Sequence, residues 1–509
     1  MKKCAKLLFA LLAALLLFAL VGCAPTVETP PDVPPDPPVH TCAFGEWAVT
    51  REPTCTADGV KVRACTCGES ETAAIPAGHT YTLKTLYAEP EPRVAFGGIF
   101  CCEGCGDEEE RVITSADVGM PIVSLDGSFD GMSKEDKVTV GFDYISDELT
   151  FSCIATLKWQ GATSLAYPKK NFSVQLFEED GSKKKVELVD GWGEESKYCM
   201  KANWTDFSEA RNLVSANLYG DVAATRDKDD EFAGLVNGGA VDGFPILVYH
   251  DGNFLGLYTM NIPKDKWLMG MKKGDTLRQA MVIPEQWHNS VSLREFMSYD
   301  FVSTSWELEF ASTEDNPEIG TNWVVDSFNE MMLFINANDG AAFKEGIGEY
   351  INVDRALDAL LFTWVICGRD NYSKNILWVT YDGKVWTPCV YDLDSTWGLW
   401  WDASKLNTPG EVTNFKNGSV CLLYQRLRYN YQEELLARYK ELRLTVLSDE
   451  AIEARFTEYF ESIPDAVYAA ERERWPNRAG LWIEHESQIL SFAKAHLAIL
   501  DEKIANNTW

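Results

Sequence analysis

Residues Gly368 to Trp401 constrain this chain more than any other segment. Asp370 is followed by Asn375 at i+5, and a short apolar strand then runs from Ile376 to Tyr381. Asp382-Gly383 reads as a two-residue hairpin turn, and Lys384 to Tyr391 return as a second strand into Asp392, Leu393 and Asp394. With a two-residue turn Tyr381 pairs with Lys384, so counting outward sets Ser373 opposite Asp392 and brings Asn375 beside it at the open end. Asp370, Asn375, Asp392 and Asp394 therefore collect at that end. Carboxylates so close repel one another unless a cation sits among them, and hard oxygen donors of this kind suit Mg²⁺ or Mn²⁺. Two blander readings stay open: helix caps and solvated acids in an acidic protein, or a structural calcium loop.

The flanking sequence divides into two halves. Before the hairpin, Ala155 to Trp159 and Phe172 to Phe177 have strand length and flank Gln160-Gly161-Ala162-Thr163-Ser164. Side chains alternate along a strand, so Lys170 shares a face with Phe172, Val174 and Leu176 and needs an anion or an edge, whereas Lys169 is expected in solvent. Asp206 with Glu209 three residues on fits a helix start, with Arg211 and Asn212 in the first turns. Asp251-Gly252 joins Ile246 to Tyr249 and Phe254 to Met260 as a hairpin. Apolar spacing near 3.6 marks helices over Trp323 to Ile335, Arg355 to Ile366, Leu422 to Leu442 and Ile452 to Tyr459.

The N-terminus has the layout of an export signal. Met1, Lys2 and Lys3, with Lys6, precede an apolar run from Leu7 to Val21, too short for a comfortable span. The run ends in Leu20-Val21-Gly22-Cys23, which resembles the bacterial lipobox, in which the cysteine is lipidated. The expected organisation is a signal peptide over 1–22, then lipidated Cys23 and a stiff proline-rich spacer over 23–41. An ordinary signal peptide with a chance cysteine is the alternative. The protein is expected on the extracytoplasmic side of a bacterial envelope, held to the membrane by lipid. Forty-six Lys and Arg against 77 Asp and Glu give a net charge of -31, which argues against nucleic acid as a partner.

Of fourteen cysteines, Cys42, Cys55, Cys65, Cys67, Cys101, Cys102 and Cys105 lie before residue 106. Residues 42–84 read as a small Cys-rich module, too short to hold itself by burial, with 85–120 as a connecting segment. Two disulfides among Cys42, Cys55, Cys65 and Cys67 are the preferred account. Zinc competes, because Cys102 and Cys105 form C-x-x-C with His79 nearby. The pattern resembles small surface repeats of gut bacteria. Cys153, Cys199, Cys367, Cys389 and Cys421 are scattered and read mainly as buried small hydrophobes.

Several short motifs follow one another through residues 121–500. They are Tyr167-Pro168-Lys169-Lys170-Asn171-Phe172, Lys201-Ala202-Asn203-Trp204 with Asp206 and Arg211-Asn212, Gly256-Leu257-Tyr258, Asp370 with Ser373-Lys374-Asn375, and Asp392-Leu393-Asp394-Ser395-Thr396-Trp397-Gly398. In this order they resemble the CotH family of atypical, spore-coat-type protein kinases. The resemblance implies an α+β, kinase-like two-lobe fold with a strand-rich first half and a helical second half. It also implies phosphoryl transfer from ATP, with Mg or Mn, to Ser or Thr of exported proteins, with basic proteins as the acceptors the family suggests. Asp370 would be the catalytic aspartate, Asn375 and Asp392 metal ligands, and Asp394 a second ligand or a support. The Asp370–Asn375 interval equals that of the ordinary kinase catalytic loop. Lys170 is the leading phosphate-binding lysine, with Lys201 and Arg211 as rivals. The chain departs from ordinary kinases in having no G-x-G-x-x-G and Gly368-Arg369-Asp370 in place of His-Arg-Asp. A catalytically silent surface adhesion or scaffold protein is the competing function. A glycoside hydrolase is a third, in which the Lys and Arg candidates would have no role.

Overall fold

The computed structural model describes residues 41–88, 96–226, 231–285, 292–410 and 420–506. The apolar leader, Cys23 and most of the proline-rich spacer lie outside the described residues. Among the described residues no helix is long and apolar enough to cross a membrane. The chain forms two compact units, Met1–His79 and Thr80–Trp509.

The first unit is an antiparallel meander of β1 (Ala48–Arg51), β2 (Gly59–Ala64) and β3 (Ser70–Ile75). Gly59 has no substitute there, since a Cβ would lie 2.5 Å from the Pro53 nitrogen. Among its described residues only Gly59 and Cys65 are buried. Trp47 and Phe44 lie against the Arg63 guanidinium, at 4.6 and 4.9 Å, rather than in a core.

The second unit opens with an antiparallel sheet of β4 (Tyr81–Leu86), β5 (Gly97–Cys102) and β6 (Glu108–Val112), followed by the one-turn α1 (Ser115–Val118). Within the segment 85–120, expected as a connector, the described residues include the end of β4, then β5, β6 and α1, and β4 runs across residue 84. Cys101 and Cys102 end β5, and Cys105 sits in the next turn, where its N–H and that of Gly106 donate to the Cys102 carbonyl.

Seven strands then close a barrel: β7 (Ile122–Asp126), β8 (Val138–Ile145), β9 (Thr150–Gln160), β10 (Asn171–Phe177), β11 (Lys197–Lys201), β12 (Gly243–His250) and β13 (Asn253–Asn261). Phe172, Val174 and Leu176 alternate inward along β10 as period two requires. The β12–β13 turn is Asp251-Gly252, both with positive φ, at 48° and 77°, which matches the right-handed strand twist. Helix α2 (Ala210–Ala224) is inserted between β11 and β12.

A second sheet, ordered β15-β14-β16-β17, comprises β14 (Ala280–Pro284), β15 (Trp306–Ala311), β16 (Ile376–Thr380) and β17 (Trp386–Val390). Around it stand α3 (Asn322–Ala337), α4 (Gly340–Gly346), α5 (Val353–Val365), α6 (Leu422–Asn430), α7 (Gln432–Arg443), α8 (Asp449–Glu461), α9 (Asp465–Arg474) and α10 (His485–Ala505). The fold is α+β, strand-rich in its first half and helical in its second, in keeping with an atypical kinase-like two-lobe architecture. The stretch expected as one helix from Leu422 to Leu442 is two. Tyr431 leaves helical geometry at φ -120°, ψ 38°, and its hydroxyl donates to the Lys344 carbonyl.

The hairpin β16–β17 is buried on both faces. Leu377, Val379 and Cys389 belong to the barrel-side core, while Ile376, Trp378, Trp386 and Val390 belong to the helical core. This explains its near-continuous apolar sequence, which an exposed hairpin would not tolerate.

Candidate active site

The site is built on the strand ends of that hairpin. Its register pairs Ile376 with Val390 and Leu377 with Cys389, one residue away from the expected register. The cause is the turn: Asp382 Oδ1 accepts the N–H groups of both Lys384 and Val385 at 2.8 Å, and Gly383 takes φ 72°. The loop is therefore a residue longer than Asp-Gly alone would make it, and Ser373 is not the residue facing Asp392. The expected neighbours still meet, because Asn375 Nδ2 donates to the Asp392 carbonyl at 3.0 Å.

Asp370 opens a single 3-10 turn after α5. Its carbonyl accepts the N–H groups of Ser373, Lys374 and Asn375 at 3.3, 2.9 and 3.2 Å. The five-residue interval from Asp370 to Asn375 is thus a loop wound around one oxygen. Buried Asn371 ties it to the returning strand by donating to the carbonyls of Asn375 and Tyr391, at 3.2 and 2.8 Å. Sequence reasoning missed Asn371, although its place inside the Asp370–Asn375 loop was the available signal.

Asp392 takes left-handed φ 54°, which redirects the chain out of β17. The segment after it is held from α2. Asn212 Oδ1 accepts the Leu393 N–H at 2.9 Å, and Arg211 Nε donates to the Thr396 carbonyl at 3.2 Å. Arg211 is fully enclosed, with its guanidinium on Asp206 and Gln488. It clamps the acidic segment and does not face an open surface. Asp206 caps α2 by accepting the Arg211 N–H at 2.8 Å, but the expected Asp206–Glu209 capping box is absent. Glu209 occupies the N-cap position at φ 59° and turns its carboxylate elsewhere.

The acids feel one another. Burial pushes the Asp394 carboxyl up to about 8, and the charges of Asp392, Asp370 and Asp206 add to the rise. Burial also raises Asp370, with Asp392 adding to it and Lys374 opposing. With its nitrogen committed to Asp392, the Asn375 amide has its oxygen to offer. Asp370, Asp392, Asp394 and the Asn375 amide oxygen are the hard oxygen donors at this strand end, and they are the residues that would hold a divalent cation such as Mg²⁺ or Mn²⁺.

Cations approach from the barrel side. Lys201 ends β11, and Lys264 follows β13, where it pairs with Glu309. Burial lowers Lys264 to about 8, with Glu307 and Asp392 opposing and Lys201 reinforcing, so these charges share one neighbourhood. Lys264 was not anticipated; Pro263-Lys264 directly after a strand was its only signal. Lys170 turns back on its own loop, donating to the carbonyls of Leu165 and Tyr167.

Lys169, expected in solvent, is 1 % exposed. Its ammonium lies 2.8 Å from Glu471 and 3.3 Å from Glu209 and donates to the Leu257 carbonyl. Arg478 closes the set on Glu209 at 2.7 Å and on Glu471 at 2.5 Å. Asn203 Nδ2 donates to Glu209 at 2.6 Å, and the Leu257 N–H to Glu471 at 2.8 Å. Gly256 makes room, since a Cβ there would stand 2.8 Å from the Glu471 carboxylate. All five groups of short motifs thus contribute either to this buried charge network or to the acidic strand end.

No curated protein matches the chain. The sequence model of the CotH kinase protein family matches residues 157–500, a stretch that contains the acidic strand end, Lys169 and its partners, Lys201 and Lys264, and the chain belongs to that family.

Proposed function

We propose that this protein is an exported, lipid-anchored kinase that transfers phosphate from ATP to Ser or Thr side chains of exported proteins, with Mg or Mn. The observation that carries the reading is the collection of Asp370, Asn375, Asp392 and Asp394 at one end of β16–β17, in the chain order of the kinase catalytic loop and metal aspartate. Asn375, Asp392 and Asp394 would hold the metal, which when bound neutralises charge on the phosphates. Asp370 orients the acceptor hydroxyl and takes its proton, a task helped by its raised proton affinity. Lys201 and Lys264 take the phosphate-binding role in preference to Lys170, whose ammonium is held by carbonyls of its own loop. Arg211 and Asn212 are positioning residues for the Asp392–Asp394 segment.

The leader and Cys23 support a lipid anchor on the extracytoplasmic side, and the net charge of -31 suits a basic acceptor. The test is incubation of the purified protein with labelled ATP, Mg²⁺ or Mn²⁺ and a basic acceptor protein, alongside Asp370→Asn. Metal-dependent transfer that disappears in the variant is the expected result. Absence of both transfer and nucleotide binding in the unaltered protein overturns the reading in favour of a silent scaffold.

A further inference from the structure

The first unit buries no apolar side chain except Cys65 among its described residues, so hydrophobic burial does not hold it together. What it does have is a point where three sulfurs meet. The Sγ atoms of Cys42, Cys65 and Cys67 all lie within 4.8 Å of one another, and those of Cys42 and Cys67 are 3.6 Å apart. Backbone bonds set the arrangement. Phe44 bridges Cys65, the Gly45 N–H donates to the Ala64 carbonyl at 3.0 Å, and the Gly68 N–H donates to the Cys65 carbonyl at 3.0 Å. Gly68 takes φ 97°, which lets the chain reverse so that Cys65 and Cys67 both turn toward Cys42.

Thiolates about 2.3 Å from a tetrahedral Zn²⁺ stand about 3.8 Å from one another. The Cys42–Cys67 separation is close to that figure. A disulfide, by contrast, brings two sulfurs to about 2.0 Å and leaves the third unused. We infer that Cys42, Cys65 and Cys67 bind one zinc ion as thiolates, with a donor from outside the trio completing the tetrahedron. Binding releases the three thiol protons and changes no oxidation state. The ion replaces the missing core of this unit, as in other small domains that fold only when metallated.

The test uses the full chain, purified without chelator. Zinc is counted per chain in the unaltered protein, in Cys67→Ser, in Cys67→His and in the remote control Cys153→Ser. Cys67→Ser is expected to lose one ion per chain, and Cys67→His and Cys153→Ser to keep it. Cobalt titration of the unaltered protein is expected to give thiolate-to-cobalt charge-transfer absorption that weakens in Cys67→Ser. Equal zinc in the unaltered protein and Cys67→Ser overturns the inference. So does a Cys42–Cys67 disulfide in a peptide map of the non-reduced protein, a measurement that does not depend on any variant folding.

Discussion

Asn375 donates its side-chain N–H to the main-chain carbonyl of Asp392 across the open end of the hairpin, at 3.0 Å. The bond fixes which face of the amide is left for a ligand and pins the residue where the chain leaves β17. Asn375→Ala removes the amide oxygen and frees Asp392, and is expected to weaken Mn²⁺ binding by about 10- to 100-fold. Calorimetric titration of Mn²⁺ into the two proteins checks this; unchanged affinity would remove Asn375 from the ligand set.

Asp370→Asn keeps the shape of the loop, whose geometry rests on the Asp370 main-chain carbonyl. Phosphate transfer is expected to fall by about 10²- to 10⁴-fold. Nucleotide and metal affinity should change by less than about twofold, since the proposed role of this carboxylate is on the acceptor. A parallel loss of nucleotide binding would show that Asp370 works on the donor side instead.

Lys169 and Lys170 are neighbours with opposite expected costs. Replacing Lys169 by Met leaves the two buried carboxylates of Glu209 and Glu471 to the single guanidinium of Arg478, and about 3–5 kcal/mol of stability should be lost. Lys170→Met forfeits bonds to two carbonyls at a half-buried position and should cost about 1 kcal/mol. Urea denaturation of both variants gives the comparison, and equal costs would contradict the network described here.

His485 makes the fold sensitive to acid. Its Nε2 meets the Gly480 carbonyl at 3.0 Å and its Nδ1 meets Arg211 at 2.9 Å, which is the pattern of a neutral ring with its proton on Nε2. Burial lowers the imidazole to about 4, with Asp206 opposing and Arg211 reinforcing. Between about 6.5 and about 4 the unfolded chain binds a proton that the folded chain does not, so stability falls as pH falls through that window. The slope is about 1.4 kcal/mol per pH unit at most. Denaturation midpoints over this range should flatten in His485→Gln; an unchanged slope would assign the acid sensitivity to other groups.

Asp394→Asn removes a carboxyl whose ionised form is opposed by burial and by Asp392. Without metal the variant is expected to be more stable near neutral pH, by on the order of 1 kcal/mol, while its gain in melting temperature on adding Mg²⁺ shrinks. Scanning calorimetry with and without Mg²⁺ reads both effects, and a less stable metal-free variant would contradict this account.

The adjacency of Asn375 and Asp392 was legible because the parts are local. Asp370 and Asn375 share one loop, and Asn375 and Asp392 are joined by a single hairpin whose apolar strands and Asp-Gly turn are plain in the sequence. Even the register error of one residue left them adjacent. The basic side was harder to read. Alternation correctly placed Phe172, Val174 and Leu176 inside, but β10 begins at Asn171, so the rule had no hold on Lys169. The partners of Lys169 include Glu471, 302 residues away, and no local pattern connects positions so remote. The helix break at Tyr431 was invisible for the same reason, since its hydroxyl partner lies in Lys344.

The hairpin that carries Asn375 and Asp392 sends alternate side chains into the barrel core and the helical core. A kinase whose lobes meet at a slender hinge can open by swinging one lobe as a rigid body. Here the two cores share a wall, and any such swing would tear Trp378 and Val379, adjacent on β16, from opposite sides at once. On the proposed function, nucleotide would therefore come and go by rearrangement of loops at the strand ends, while Asn375 and Asp392 stay anchored to a hairpin gripped by both cores.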